Sequence, residues 1–132
     1  MRFVYVKSSE VRAQVESSEL YVAFVICSEE LMKSILELTS CLATARLRAA
    51  GFVGEHARKG EDEMDFAIVT GGGISGTPTL SFDSPTAEAF EEFVTVFAFE
   101  WADSPAAVCI IVGDSDATFQ TVMSSYVKVT SL

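Results

Sequence analysis

Apolar and polar positions along the chain predict a series of short strands and helices. Residues 2–7 are rich in aromatic and β-branched side chains and alternate in the manner of a strand. An unbroken apolar run over residues 20–27 predicts a second strand. The polar residues 8–19 between them fit either a short helical turn or the extension of a hairpin.

The longest helical pattern covers residues 28–50. Ser28 is suited to be its N-cap, and Gly51 is suited to end it because glycine readily takes the left-handed conformation. Between these ends, apolar side chains recur at spacings of three and four residues, at Leu31, Ile35, Leu38, Leu42, Ala45 and Ala49. The pattern predicts one long helix with a broad apolar face.

In the second half of the chain, turn residues separate shorter apolar segments. Residues 52–65 are charged and flanked by glycine, which predicts a solvated loop. Residues 64–70 and 78–82 predict two strands, and the glycine-rich residues 71–76 predict a turn that joins them as a hairpin.

A second helix is predicted from Ser84 to about residue 101. Serine followed by proline is a typical helix start, and this signal favours a helix even though residues 93–99 also alternate like a strand. As a helix the segment is apolar almost all round, with Val96 and Phe99 outside its main apolar face. Such a helix is either buried on two sides or covered by a partner.

The last segments complete a recognisable order of elements. Residues 106–112 form a continuous apolar run that predicts a central strand, residues 114–124 predict a short helix, and residues 126–130 predict an edge strand. From residue 20 to residue 112 the order is that of ferredoxin-like domains. The sequence therefore predicts an α+β fold with a ferredoxin-like βαββαβ core over about 20–112, extra N- and C-terminal strands and a short C-terminal helix.

Length and composition narrow the class of protein. A chain of 132 residues is most simply one domain, residues 1–132, and can bury a core without disulfides. No apolar run approaches the ~20 residues of a membrane-spanning helix, and the N-terminal residues do not resemble a signal peptide. The three cysteines, Cys27, Cys41 and Cys109, lack metal-ligand spacing and fit buried thiols in a reducing compartment. These features predict a cytoplasmic protein with no membrane partner.

Charge is divided unequally along the chain. Residues 1–59 carry 8 basic and 7 acidic side chains, whereas residues 60–132 carry 1 basic and 12 acidic side chains. An acidic surface repels phosphate backbones and attracts basic proteins, so direct binding of nucleic acid is disfavoured and a partner with a basic surface is favoured. The plainer alternative is that the acidity only keeps a hydrophobic protein soluble.

One glycine-rich segment has the spacing of a dinucleotide-binding loop. The candidate loop residues are Gly71, Gly72, Gly73, Ser75 and Gly76, and they follow a predicted strand. No helix is predicted after them, although a helix N-terminus is what binds the pyrophosphate in such sites. The simpler interpretation is a hairpin tip that can serve as a contact loop.

Two carboxylates, Asp114 and Asp116, follow the predicted central strand, where open sheets gather catalytic or Mg²⁺-binding acids. The alternative is that both cap a helix start. The single histidine, His56, lies in a charged segment with no nucleophile of familiar form to serve. The sequence therefore predicts no cofactor and no catalytic residue. A small-molecule, nucleotide or metal-dependent domain that uses the two aspartates near the glycine-rich loop stays an alternative.

The helix predicted after Ser84 offers the best candidate surface for a protein partner. It combines aromatic side chains with acids, and aromatic anchors inside a polar rim are typical of protein interfaces. The candidate partner-binding residues are Glu88, Glu91, Glu92, Phe99, Glu100 and Asp103. We therefore expect a non-enzymatic module that regulates or inhibits a basic partner protein, which can itself be a nucleic-acid-binding protein. A structural homodimer is the third alternative.

Overall fold

The protein is built around one parallel five-stranded sheet. The structure is a computed structural model and describes residues 1–114, 120 and 122. The strands are β1 (Arg2–Val6), β2 (Leu20–Ile26), β3 (Leu47–Val53), β4 (Thr79–Phe82) and β5 (Ala107–Val112). Their order across the sheet is β1-β5-β2-β3-β4, and every neighbouring pair is parallel. The unbroken apolar run of β5 is explained by its position between β1 and β2, where it is buried on both faces.

The chain belongs to the mixed α/β class, but the predicted ferredoxin-like core is wrong because that core needs an antiparallel sheet. Residues 64–70, predicted as a strand, lie in α4 (Ala57–Thr70). Residues 52–65, predicted as a loop, contain the end of β3 and most of α4. The predicted hairpin is therefore replaced by a helix that connects two parallel strands, as parallel pairing requires.

The long helix predicted over residues 28–50 is also wrong. Ser28 is its correct start, since its side chain accepts a hydrogen bond from the N–H of Leu31 at 3.1 Å. The helix then breaks into α2 (Glu29–Met32) and α3 (Ile35–Leu42), and the alanine-rich residues that follow form β3. β3 lies inside the sheet, where backbone hydrogen bonds on both sides outweigh the preference of alanine for helices.

Glycine allows α4 to pack closely on the sheet. A Cβ atom at Gly60 would lie 2.8 Å from Sγ of Cys27 and 2.9 Å from Cδ1 of Phe52. The charged residues of α4 are exposed or partly exposed, whereas Ala57, Gly60, Met64, Ala67 and Ile68 are buried at helical spacing. Three of the five residues in the buried stripe are alanine or glycine, so the apolar pattern of a helix was weak in the sequence.

Helices cover both faces of the sheet. The first face packs against α1 (Val11–Glu16), which follows a 3₁₀ turn at Ser8–Glu10, and against α2, α3 and α4. The second face packs against α5 (Thr86–Glu92), a π-helical turn at Phe93–Phe97 and a 3₁₀ turn at Phe99–Trp101. The helix predicted from Ser84 is thus confirmed as helical, although it is irregular, and Pro85 instead of Ser84 stands at its N-cap position.

The predictions for the end of the chain fall mostly outside the described residues. They are the strand over 126–130, most of the helix over 114–124, and Asp116. Gln120 and Val122 are described and are helical, and Val122 is buried against the second face. Within the described part of the chain, no helix has both the length and the apolar character needed to cross a membrane.

Candidate functional site

The candidate site is the segment that crosses the second face between β4 and β5. We call residues 83–106 the acidic cover, because they contain six carboxylates and no lysine or arginine. The segment begins as α5 and widens into a π turn, in which the N–H of Ala98 donates to the carbonyl of Phe93 at 2.9 Å. Single π turns inside helices occur frequently at functional sites.

The inner side of the acidic cover is a phenylalanine cluster. Phe90 and Phe93 are fully buried, and their ring centroids lie 5.3 and 5.5 Å from that of Phe24 in β2. Phe97 contacts Phe82 of β4 at a centroid distance of 6.1 Å. These contacts fix the cover on the sheet, and so they fix which side chains it turns outward.

The outer side of the acidic cover exposes two large apolar side chains. Val96 is 62 % exposed and Phe99 is 71 % exposed, so the segment is not buried on two sides within the described residues. The segment therefore buries one aromatic face in the core and leaves a second, smaller apolar surface uncovered by the described residues.

Carboxylates accompany this exposed pair. Glu88, Glu92, Glu100 and Asp103 are exposed, and none of them forms a salt bridge within the described residues. The fifth predicted acid, Glu91, is only partly exposed. The structure thus places the predicted partner-binding residues on one connected segment with most of their charges turned to solvent.

The acidity of the second half of the chain does not form a single surface. Glu61, Asp62, Glu63 and Asp65 lie on α4, which packs on the first face, whereas the acidic cover lies on the second. Asp65 and Glu61 also accept hydrogen bonds from the hydroxyl of Thr79 in β4. Sequence reasoning could not separate the two groups, because their separation depends on the path of the chain across the sheet.

The glycine-rich loop lies at the opposite end of the strands from Asp114, the one predicted aspartate that the structure describes. Residues 71–76 connect the end of α4 to the start of β4, so they lie at the N-terminal ends of the parallel strands. Gly76 takes a positive φ of 92° there, and a Cβ at Gly72 would lie 3.5 Å from the carbonyl of Ala43. Asp114 follows β5 and therefore lies at the C-terminal ends of the strands. The structure does not bring the loop and the carboxylate together.

Asp114, which follows β5, forms hydrogen bonds with Ser8, which follows β1. Its carboxylate accepts a hydrogen bond from the N–H of Ser8 at 3.1 Å, and the Ser8 hydroxyl lies 3.3 and 3.4 Å from its two oxygens. Asp114 therefore caps the turn that follows β1, whereas the sequence placed its capping role in the helix that follows it. Among the described residues, no cluster of three or more histidine, cysteine or acidic side chains could hold a metal ion.

The three thiols differ in their surroundings. Cys27 and Cys109 are buried, and burial raises the pKa of Cys27 to about 12 and that of Cys109 still further. Cys41 is partly exposed. The predicted burial is thus correct for two cysteines, whose thiols stay protonated and unreactive near neutral pH.

A polar cleft between α1 and α3 escaped the sequence analysis. Its volume is about 320 Å³, and its walls include Ser8, Ser9 and Arg12 on one side and Ser34, Glu37 and Cys41 on the other. The two walls are distant in sequence and meet only because α1 and α3 are neighbours on the first face, so no sequence motif marks the cleft.

Comparison of this chain with protein-family models, with curated proteins and with solved structures gave no match.

Proposed function

We propose that this protein is a non-enzymatic interaction module whose acidic cover binds a partner protein with a basic surface and thereby regulates or inhibits that partner. The observation that carries the proposal is the exposure of Val96 and Phe99 on a segment that has six carboxylates and no basic side chain. This combination supplies an apolar contact together with a charge that selects the partner.

The apolar part of the surface would provide affinity. Exposed apolar side chains are common when they are single, but Val96 in the π turn and Phe99 in the 3₁₀ turn are separated by only two residues and both are mostly exposed. Aromatic residues in the centre of an interface contribute a large share of binding energy when they are desolvated. Phe99 is therefore the residue we expect to anchor the partner.

The carboxylates would make binding selective for basic partners and would increase the rate of association. A single exposed ion pair contributes only about 0–1 kcal/mol, so the acids alone do not explain tight binding. Their summed field instead accelerates association with a positively charged surface and disfavours acidic partners. A basic surface that normally binds nucleic acid would be covered by this contact, which is how binding would inhibit such a partner.

Affinity capture with a salt gradient tests the proposal. The immobilised protein is exposed to an extract of its native host, and the captured proteins are eluted by increasing salt and identified. We expect a basic protein that elutes at moderate salt, since surface attraction is screened over about 10 Å at 0.1 M. The purified partner is then titrated against wild type and against the double variant Val96→Ser, Phe99→Ser.

A matched variant controls for the loss of apolar surface elsewhere. Phe66→Ser, Val69→Ser removes two side chains of α4 that are 66 % and 78 % exposed on the opposite layer. We expect the Val96 and Phe99 variant to weaken binding at least about tenfold, as loss of an interface anchor does, and the α4 variant to bind like wild type. Equal binding by wild type and both variants, or an affinity that does not change with salt, would exclude this use of the acidic cover.

A further inference from the structure

The cleft between α1 and α3 lies beside a reversal in the path of the chain. After β1 and after β2 the chain continues over the first face, whereas Val122, which follows β5, is buried on the second face. β5 lies between β1 and β2, so neighbouring strands here lead to opposite faces. The cleft lies on the first face beside this reversal and is lined by residues that follow β1 and β2. Ligands of open parallel sheets bind outside the carboxyl ends of the strands near such a point.

One wall of this cleft is held in place. Ser8 follows β1, and Asp114, which follows β5, accepts hydrogen bonds from both its N–H and its hydroxyl. These bonds fix the 3₁₀ turn at Ser8–Glu10, which brings Ser9 to the cleft and leads into α1, where Arg12 lies. A fixed wall favours ligand binding, because ordering a mobile wall costs binding free energy.

The two walls carry opposite charges that are not used within the protein. Arg12 and Glu37 line the cleft from α1 and α3, and neither forms a salt bridge within the described residues. Ser9 and Ser34 also line the cleft. A simple anion would meet Glu37, and a simple cation would meet Arg12. A molecule with one group of each sign satisfies both.

We infer that this cleft binds a small zwitterion of the α-amino-acid class. Arg12 binds the carboxylate, Glu37 binds the ammonium group, and the nearby serine hydroxyls hydrogen-bond to the same ends of the ligand. The volume of about 320 Å³ lies at the lower limit of the ~300–1,000 Å³ of ligand pockets, which suits a single amino acid. Leu38 also lines the cleft and is an apolar neighbour for a small side chain.

Ligand-observed NMR and calorimetry with the twenty standard amino acids test this inference on the full chain. We expect one or more of them to bind at millimolar concentration. Blocking either charge, as in N-acetyl-L-serine or L-serine methyl ester, should weaken binding about tenfold or more, which is the effect expected when a hydrogen bond to a charged group is lost. Arg12→Gln and Glu37→Gln should each have the same effect on the free amino acid.

Matched variants separate this site from general surface charge. Arg58→Gln and Glu55→Gln remove an exposed charge of the same kind away from the cleft and should leave binding unchanged. Far-ultraviolet circular dichroism verifies that every variant is folded. The inference is overturned if no amino acid binds, if the blocked analogues bind as well as the free amino acids, or if Arg12→Gln and Glu37→Gln bind like wild type.

Discussion

Gly51 lets the sheet and the helical layer on its second face pack closely, because it has no side chain. A Cβ atom at this position of β3 would lie 2.8 Å from Cδ1 of Phe93 and 3.1 Å from Cε2 of Phe82. The Phe93 ring therefore packs directly on the strand backbone. This contact fixes the π turn on the second face, and so it determines how Val96 and Phe99 are presented.

We expect Gly51→Ala to lower the free energy of unfolding by about 1–3 kcal/mol, which is typical of an overpacked core. The neighbouring atoms belong to buried rings that have little room to move. Gly72→Ala is the matched control, because a Cβ there would make an ordinary contact at 3.5 Å and should change stability by less than about 0.5 kcal/mol. Urea denaturation measures both, and equal stability of the two variants would contradict the packing described for Phe93.

The buried thiols make stability depend on alkaline pH. Burial raises the pKa of Cys27 from 9.0 to about 12 in the folded state, so the folded protein binds this proton more tightly than the unfolded chain. The corresponding stability is complete below pH 9.0 and is lost as the pH rises toward about 12. Burial also raises the pKa of Tyr21, the largest effect on that residue, and acts in the same direction.

Alkylation and denaturation test this account of the thiols. In the native protein at neutral pH, iodoacetamide should modify Cys41 alone among the three cysteines, and all three should react after unfolding. Urea midpoints should fall as the pH is raised above 9.0. Rapid modification of Cys27 or Cys109 in the native protein, or a flat stability over this pH range, would show that their burial is misjudged.

At the scale of elements, the predictions that succeeded rest on strong side-chain patterns. β1 and β2 are rich in aromatic and β-branched residues, and β5 is an unbroken apolar run, so each could be predicted without its neighbours. β3 could not, because Leu47-Arg-Ala-Ala-Gly favours a helix when its sheet neighbours are unknown. Its strand conformation comes from pairing with β2 and β4.

α4 and the candidate site also differ in how much of them depends on distant parts of the chain. In the sequence of α4, the many charged residues and Gly60 make the narrow apolar stripe hard to recognise. The stripe is identifiable only once α4 is seen packed against Phe52 and Cys27. The exposure of Phe99 could be predicted, since it depends on helical spacing within one segment. The cleft at Arg12 could not, since it depends on which helices are neighbours.

Two phenylalanines of the acidic cover should respond very differently to mutation. Phe93 is fully buried among aromatic rings, so Phe93→Ala should lower the free energy of unfolding by about 3–5 kcal/mol. Phe99 is largely exposed, so Phe99→Ala should change it by less than about 0.5 kcal/mol. Urea denaturation of the two variants checks the contrast. A large loss for Phe99→Ala would mean that this side chain belongs to the core instead of the interaction surface.

At the scale of the whole molecule, the two faces of the sheet carry different charge. The helices of the first face contain both basic and acidic residues, whereas the acidic cover on the second face contains acids alone. A second copy of the chain would therefore meet like charge if two acidic covers faced each other. The homodimer predicted as an alternative would instead use the edge strands β1 or β4, and a mass measurement in solution tests whether it forms.

The proposed binding depends on where the acids lie and not only on how many there are. One variant removes four exposed charges from the acidic cover by the substitutions Glu88→Gln, Glu92→Gln, Glu100→Gln and Asp103→Asn. A second variant removes four exposed charges outside the acidic cover by the substitutions Glu16→Gln, Glu19→Gln, Glu55→Gln and Asp62→Asn. The two variants therefore have the same net charge.

The most direct test is the affinity of these two variants for the captured basic partner, measured by calorimetry at low and moderate salt. We predict that the acidic-cover variant binds at least about tenfold more weakly than wild type at low salt, that the difference shrinks as salt is added, and that the other variant loses little. Equal affinities of the two variants would contradict the claim, because binding would then depend on net charge alone.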